Sequence, residues 1–150
     1  MLGDLSQNQI EYFLRSQLVG RLGYYNGSEV TITPVTYVYD GTYIYAHSKE
    51  GEKVQVMREN PNVCFQVDEI DNMTNWRSVI AWGKYEELTE ESAQKSGMKI
   101  MEDRLTPFTI SETVRPSQGT SSPPEILEKG RKAMVYRIKI KRYSGKFEKT

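Results

Sequence analysis

Residues 19–47 read VGRLGYYNGSEVTITPVTYVYDGTYIYAH and set the fold class. Two dipeptides, Asn26-Gly27 and Asp40-Gly41, divide the stretch into runs rich in Val, Thr, Tyr and Ile. Both dipeptides tolerate the positive φ of tight hairpin turns, and the flanking residue types fit a pleated surface. The spacing predicts strands over 19–25, 29–39 and 42–47, paired as a three-stranded antiparallel meander. On the N-terminal side, Ser6 and Gln9 have capping-box spacing, and Ile10, Phe13, Leu14 and Leu18 recur at helical intervals. On the C-terminal side, 51–60 reads as a short helix that turns Val54 and Met57 inward and stops at Pro61. Residues 62–69 alternate Val63, Phe65 and Val67 against Cys64, Gln66 and Asp68, the pattern of a half-buried strand. Residues 78–88 read as a long strand with Gly83 at a bend or bulge. Thr89 is placed to cap a helix reaching Asp103. Residues 104–128, punctuated by Pro107, Pro116, Pro123 and Pro124, read as a surface loop, and Met134–Tyr143 as a closing strand. The expected fold is α+β and mainly antiparallel β: a small barrel of at least six strands with flanking helices.

A length of 150 residues, with 37% apolar and 27% charged content, fits one globular domain spanning 1–150 that folds without disulfides. No run approaches the ~20 apolar residues of a membrane helix, and no charged-then-apolar leader opens the chain, so a cytoplasmic protein without membrane contact is expected. One cysteine, Cys64, and one histidine, His47, leave no Cys/His zinc set, and no metal is expected. Twenty basic and twenty acidic residues give no bulk attraction to nucleic acid. Residues 129–150 nevertheless hold nine Lys/Arg against Glu148 alone, an excess of +8 that the first 128 residues offset. This segment reads as a solvated edge strand, as a surface for an acidic partner, or as one for an anionic ligand.

Three places invite chemistry. Pro34 interrupts the strand-like Val30–Thr36, so pairing near Thr33–Val35 is expected to break and leave main-chain groups for a ligand, unless this is an ordinary edge strand. The strand ending in His47-Ser48 turns through Lys49-Glu50-Gly51-Glu52-Lys53 into a helix, whose N-terminal N–H groups suit a phosphate. Lys53 in that first turn opposes the helix dipole unless an anion lies nearby, whereas Glu50 and Glu52 would repel one if they pointed inward. Trp76-Arg77-Ser78 offers stacking and donors to a planar polar ligand, or else simply covers one end of the barrel. No second histidine supports a triad with Cys64, and no GxGxxG or Walker loop is present.

In their order and spacing these segments resemble a known family. Gly20-Arg21-Leu22-Gly23, Thr33-Pro34-Val35, Tyr37-Val38-Tyr39-Asp40-Gly41 and Ile44-Tyr45-Ala46-His47-Ser48 are followed by Gly51-Glu52-Lys53, Arg58-Glu59-Asn60-Pro61-Asn62-Val63-Cys64-Phe65 and Trp76-Arg77-Ser78-Val79. This series is similar to the pyridoxamine 5′-phosphate oxidase-like FMN-binding split barrels, in their nitroimidazole-resistance (Nim) branch. The resemblance implies a six-stranded split β-barrel and a homodimer with FMN in the clefts between subunits. It implies that Thr31, Ile32, Thr33, Pro34, Val35 and Thr36 line the flavin, that His47 and Ser48 approach the ribityl-phosphate, and that Lys53 neutralises the phosphate. Trp76, Arg77 and Ser78 would lie near the ring or phosphate, from the same subunit or its neighbour. Relatives often carry Arg where Glu52 stands. The C-terminal Arg/Trp pattern that recognises pyridoxamine phosphate is not evident, so oxidation of vitamin B6 is not expected. The implied activity is FMN-dependent oxidoreduction of nitro-aromatic or quinone-like acceptors with an NAD(P)H donor, His47 being the candidate catalytic residue. The alternatives are a non-catalytic module that stores or senses flavin, haem or deazaflavin, and a protein–protein adaptor with an empty cleft.

Overall fold

The computed structural model describes residues 1–109 and 133–150. Each local signal in the first third of the chain has its counterpart. Strand β1 (Leu2–Asp4) precedes helix α1 (Gln7–Ser16), where Ser6 accepts from Gln9 N–H and the Gln9 side chain accepts from Ser6 N–H, closing the capping box. Strands β2 (Val19–Tyr25) and β3 (Val30–Thr36) form one hairpin, and β4 (Val38–Tyr39) and β5 (Tyr43–Lys49) another. Gly27 and Gly41 take the positive φ of the two turns, 98° and 103°.

The expected meander is not formed. The run 29–39 breaks at Tyr37, so among the described residues β3 pairs with β2 alone and β4 with β5 alone, and these hairpins occupy opposite edges of the sheet β3-β2-β6-β7-β8-β5-β4. Tyr37 makes the switch because its bonds leave the ladder: its N–H donates to Leu18 O at 3.0 Å and its hydroxyl to Leu14 O at 2.6 Å. A strand that changes partners in this way turns a corner and curls the sheet on itself. The result, among the described residues, is a split barrel of eight strands, the short β1 and β4 adding to the six expected.

Helix α2 (Glu52–Glu59) buries Val54 and Met57 and leads through Pro61 into β6 (Asn62–Asn72) and β7 (Asn75–Glu87). It closes one end of the barrel, where Asn60 donates to Tyr25 O and Tyr85 N–H to Pro61 O. Helix α1 closes the other, with Phe13 beneath Arg77 at the start of β7. Helix α3 (Glu91–Thr109) begins after Glu90, whose carbonyl accepts from Gln94 N–H, so Thr89 is not its cap. It runs past Asp103 and includes Pro107, so the expected loop is helical to 109, and its remainder lies outside the described residues. Two clusters form the core: Leu22, Phe65, Val79 and Tyr136 inside the barrel, and Tyr45, Met101, Leu105 and Val135 between α3 and the outer side of β4-β5-β8.

The basic strand β8 (Ala133–Glu148) is no edge. It pairs with β7 and with β5, and β1 adds to its far end. Arg137 is held by Glu86 at 2.9 Å and Lys146 by Asp4 at 2.6 Å. Against β8 the register of β7 steps from Trp82↔Arg142 to Gly83↔Ile140, leaving Lys141 as the extra residue of a bulge. Gly83 is required there because a Cβ would lie 2.3 Å from Lys139 O. Gly83→Ala is expected to cost about 3 kcal/mol, read as a lowered denaturation midpoint, since backbone must move to relieve the clash.

Candidate functional site

Pro34 sits on β3 opposite Arg21, and the ladder with β2 runs unbroken from Val19↔Thr36 to Tyr25↔Val30. The expected interruption is therefore absent. Proline is accommodated because β3 is an edge, whose outer side has no strand partner among the described residues. Alternation divides the candidate residues. Thr31, Thr33 and Val35 share a face with Tyr24, Leu22 and Gly20 toward the barrel interior, while Ile32, Pro34 and Thr36 face outward with Gly23, Arg21 and Val19.

The inner lip of β3 lies toward α2. Tyr24, opposite Thr31, has its hydroxyl pKa raised by burial and by the Glu52 carboxylate, which places the first turn of α2 near this strand. The N-cap of α2 is Gly51, with no side chain to cap the first-turn N–H groups. Lys53 is half-buried and makes no ion pair among the described residues, and desolvation lowers its pKa. A partly desolvated ammonium beside open helix N–H groups is the donor chemistry that a phosphate satisfies. Glu50 is turned away: both its oxygens bind Arg58, at 2.6 and 3.0 Å.

His47 and Ser48 do not point together. Ser48 lies opposite Met134 on the side of Ala46, which belongs to the barrel interior, whereas His47 lies opposite Val135 on the side packed by α3. Thr31, Thr33 and Ser48 thus face the barrel interior and Lys53 stands in the first turn of α2, with His47 on the other face of its strand.

Trp76, Arg77 and Ser78 begin β7 at the end away from the His47–Ser48 register, whereas Thr33 shares a row, through Leu22 and Phe65, with Ala81 of the same strand. Trp76 is opposite Glu148 and Glu87 opposite Tyr136, next to the His47 register; these β7 residues are separated by about 36 Å at the usual strand rise. Each of the three side chains is already engaged. Trp76 Nε1 donates to Glu148 at 3.1 Å, Arg77 pairs with Glu69 at 3.1 Å over the Phe13 ring, and Ser78 accepts from Gln66 at 2.9 Å. Trp76 and Arg77 line a cavity of about 330 Å³ whose other charged residues are Glu69, Asp71, Glu148 and Lys149, a nearly balanced set.

A second cavity, of about 410 Å³, opens beside the corner and was not anticipated. Tyr24, Tyr25, Val30, Cys64, Trp82 and Arg142 are among its lining residues, and the Arg142 guanidinium lies 3.8 Å from the Trp82 ring centre. Alternation of Trp82 with buried Ala81 signals an outward tryptophan, but the neighbouring basic pair depends on the bulge. The cavity opens on the outer face, where Val19, Tyr25, Val30 and Ile32 are 57%, 42%, 69% and 67% exposed. Among the described residues no helix is long and apolar enough to cross a membrane, and no group of His, Cys, Asp and Glu is placed to hold a metal ion.

Comparison with known proteins adds to this geometry. The solved FAD-binding protein of Mesorhizobium loti is 27% identical, with a TM-score of 0.79 over 100% of this chain and 98% of that one. The fold is shared with a candidate 5-nitroimidazole antibiotic resistance protein of Bacteroides thetaiotaomicron, 15% identical, with a TM-score of 0.71 over 98% of this chain and 87% of that one. It is shared also with the FAD-binding protein of Mycobacterium smegmatis, 18% identical, with a TM-score of 0.64 over 97% of this chain and 98% of that one. An uncharacterised protein of Rhizobium meliloti (strain 1021) is 31% identical over 84 residues; the match spans 56% of this chain and 56% of that relative, little more than half its length. A family model described as pyridoxamine 5′-phosphate oxidase matches residues 6–147. Matched from the cap of its first helix almost to the end of its last strand, the chain belongs to the pyridoxamine 5′-phosphate oxidase family.

Proposed function

We propose that the chain is a flavoprotein that holds FMN between two copies of itself and passes electrons from NAD(P)H to small nitro-aromatic or quinone-like acceptors. The observation that carries the reading is the α2 corner: an uncapped helix N-terminus with a half-buried Lys53 that has no acidic partner among the described residues. Lys53 and the first-turn N–H groups would hold the phosphate, with Ser48 beside them and Thr31 and Thr33 along the flavin. Bound flavin supplies the redox chemistry, and the protein orients it and limits access of water. Two further observations support the dimer. The exposed apolar residues of β2 and β3 form one outer face, and Trp76–Ser78 lie at the opposite end of β7 from the His47–Ser48 register. On this reading a second copy covers that face.

The cavity beside Tyr25 and Trp82 favours a second reading, in which the cofactor is FAD. Tyr24 links cavity and corner, and Arg142 and Lys141 would face the added phosphate and adenine. This agrees with the FAD-binding Mesorhizobium relative.

One experiment tests both. The purified protein is expected to show flavin absorption, to release FMN on denaturation, and to be reduced anaerobically by NAD(P)H and reoxidised by a nitro-aromatic. Release of FAD would transfer the proposal to the dinucleotide. A bound flavin that stays oxidised with either donor would leave binding without turnover, and a colourless protein that ignores added FMN and FAD would end the reading.

A further inference from the structure

Glu50 immediately precedes the N-cap Gly51. A carboxylate at that position is within reach of the same first-turn N–H groups that would hold a phosphate, and the helix dipole attracts it there. The observed Glu50 does otherwise. Its carboxylate is bound by Arg58 of the last turn, with Nη1 to Oε1 at 2.6 Å and Nη2 to Oε2 at 3.0 Å. The other edge of the same guanidinium meets Glu87 at the end of β7, with Nε to Oε1 at 2.8 Å and Nη2 to Oε2 at 3.2 Å. Glu87 is fixed in turn by the hydroxyl of buried Tyr85, which donates to it at 2.7 Å. Arg58 is thus braced from the barrel wall and grips Glu50 with its free fork.

We infer that Arg58 is a positioning residue for the α2 corner: it holds Glu50 against Glu87 and so keeps a competing carboxylate off the helix N-terminus. The inference rests on the flavin-phosphate reading above. Magnitudes favour position over stability as its role. The side chains of Arg58 and Glu50 are 39% and 47% exposed, and solvent-exposed pairs add little to folding free energy. A guanidinium suits the task because its planar fork can bind two carboxylates at once, which an ammonium does only as a point charge. Without it, two carboxylates would face each other, and Glu50, the more exposed, would be the one to swing out.

The test is a titration of the flavin-free protein with FMN and with riboflavin, followed by flavin fluorescence. Arg58→Gln is expected to weaken FMN about tenfold and to leave riboflavin within about twofold, because only the phosphate competes with Glu50. Adding Glu50→Gln to that variant is expected to restore FMN to within about threefold of the native affinity, since the competitor has lost its charge. Arg58→Lys, which keeps the charge, should show a smaller loss that Glu50→Gln again repairs, and it serves if the glutamine variant folds poorly. An Arg58→Gln protein that binds FMN as the native one does would overturn the inference. So would a loss that Glu50→Gln does not repair, which would mean that Arg58 touches the phosphate or merely supports the fold. The outcomes separate the two readings. Native protein that binds riboflavin as tightly as FMN defeats the phosphate corner itself. An FMN preference that Lys53→Ala abolishes but Arg58→Gln leaves intact defeats only the role of Arg58.

Discussion

Lys53→Ala is expected to weaken FMN by about 10- to 100-fold while leaving riboflavin within about twofold, since a charge-assisted hydrogen bond is worth ~1.5–3 kcal/mol and riboflavin lacks the phosphate. The size of the effect follows from the environment of this lysine. It is half-buried, and no carboxylate among the described residues competes for it. In the free protein burial lowers its pKa, so the charged form is disfavoured relative to the unfolded chain. Stability of the free protein should therefore rise as pH climbs from the lowered value toward the ordinary lysine value, where the unfolded chain also loses the proton. Phosphate binding works in the opposite direction, favouring the ammonium. The preference for FMN over riboflavin should be full below the lowered pKa and decline as pH rises through it, because binding must then recruit a proton. In Lys53→Ala that lysine-linked decline should vanish. Equal losses of FMN and riboflavin in the variant would show that Lys53 does not meet the phosphate.

What could be read from the sequence was local. The capping box at Ser6, the turns at Asn26-Gly27 and Asp40-Gly41, and the inward Val54 and Met57 each depend on neighbours within a few residues. The bulge at Gly83 was legible because a glycine inside a long strand marks a close backbone approach, here to Lys139. The break at Tyr37 was not. Its backbone and hydroxyl partners, Leu18 and Leu14, belong to the segment containing the first helix and its exit, and the 29–39 run has strand composition throughout. Missing that break turned two hairpins on opposite edges into one meander. The same limit applied to the site. A helix start after His47-Ser48 and a proline on β3 pointed to the corner, but strand alternation sends His47 toward α3 and Ser48 inward. The glutamates posed an open electrostatic question: Glu50 is held by Arg58, one helix length away and braced by Glu87, whereas the Glu52 carboxylate stays close enough to Tyr24 to raise its pKa. Sequence also carried no measure of the strand length that sets Trp76–Ser78 at the opposite end of β7 from the His47–Ser48 register.

On the proposed dimer, Ile32→Glu is expected to yield a monomer and, with it, to abolish flavin binding at micromolar concentration. Ile32 is 67% exposed on the outer face of an edge strand, so the isolated protomer should fold as before, within the ±0.5 kcal/mol usual for surface changes. Its effect would arise only on association. A two-fold interface presents the same residue from both copies, so each substitution is counted twice, and a carboxylate buried without a partner costs several kcal/mol. Flavin should be lost together with the dimer if Trp76–Ser78 reach the corner only from a neighbour. Molar mass by light scattering and FMN titration of the same samples decide the matter. A native monomer that binds FMN, or an Ile32→Glu monomer that binds it with native affinity, would place the whole cleft within one chain. The remote Trp76–Ser78 segment would then be the end cover that its bonds to Glu148, Glu69 and Gln66 already make it in the single protomer.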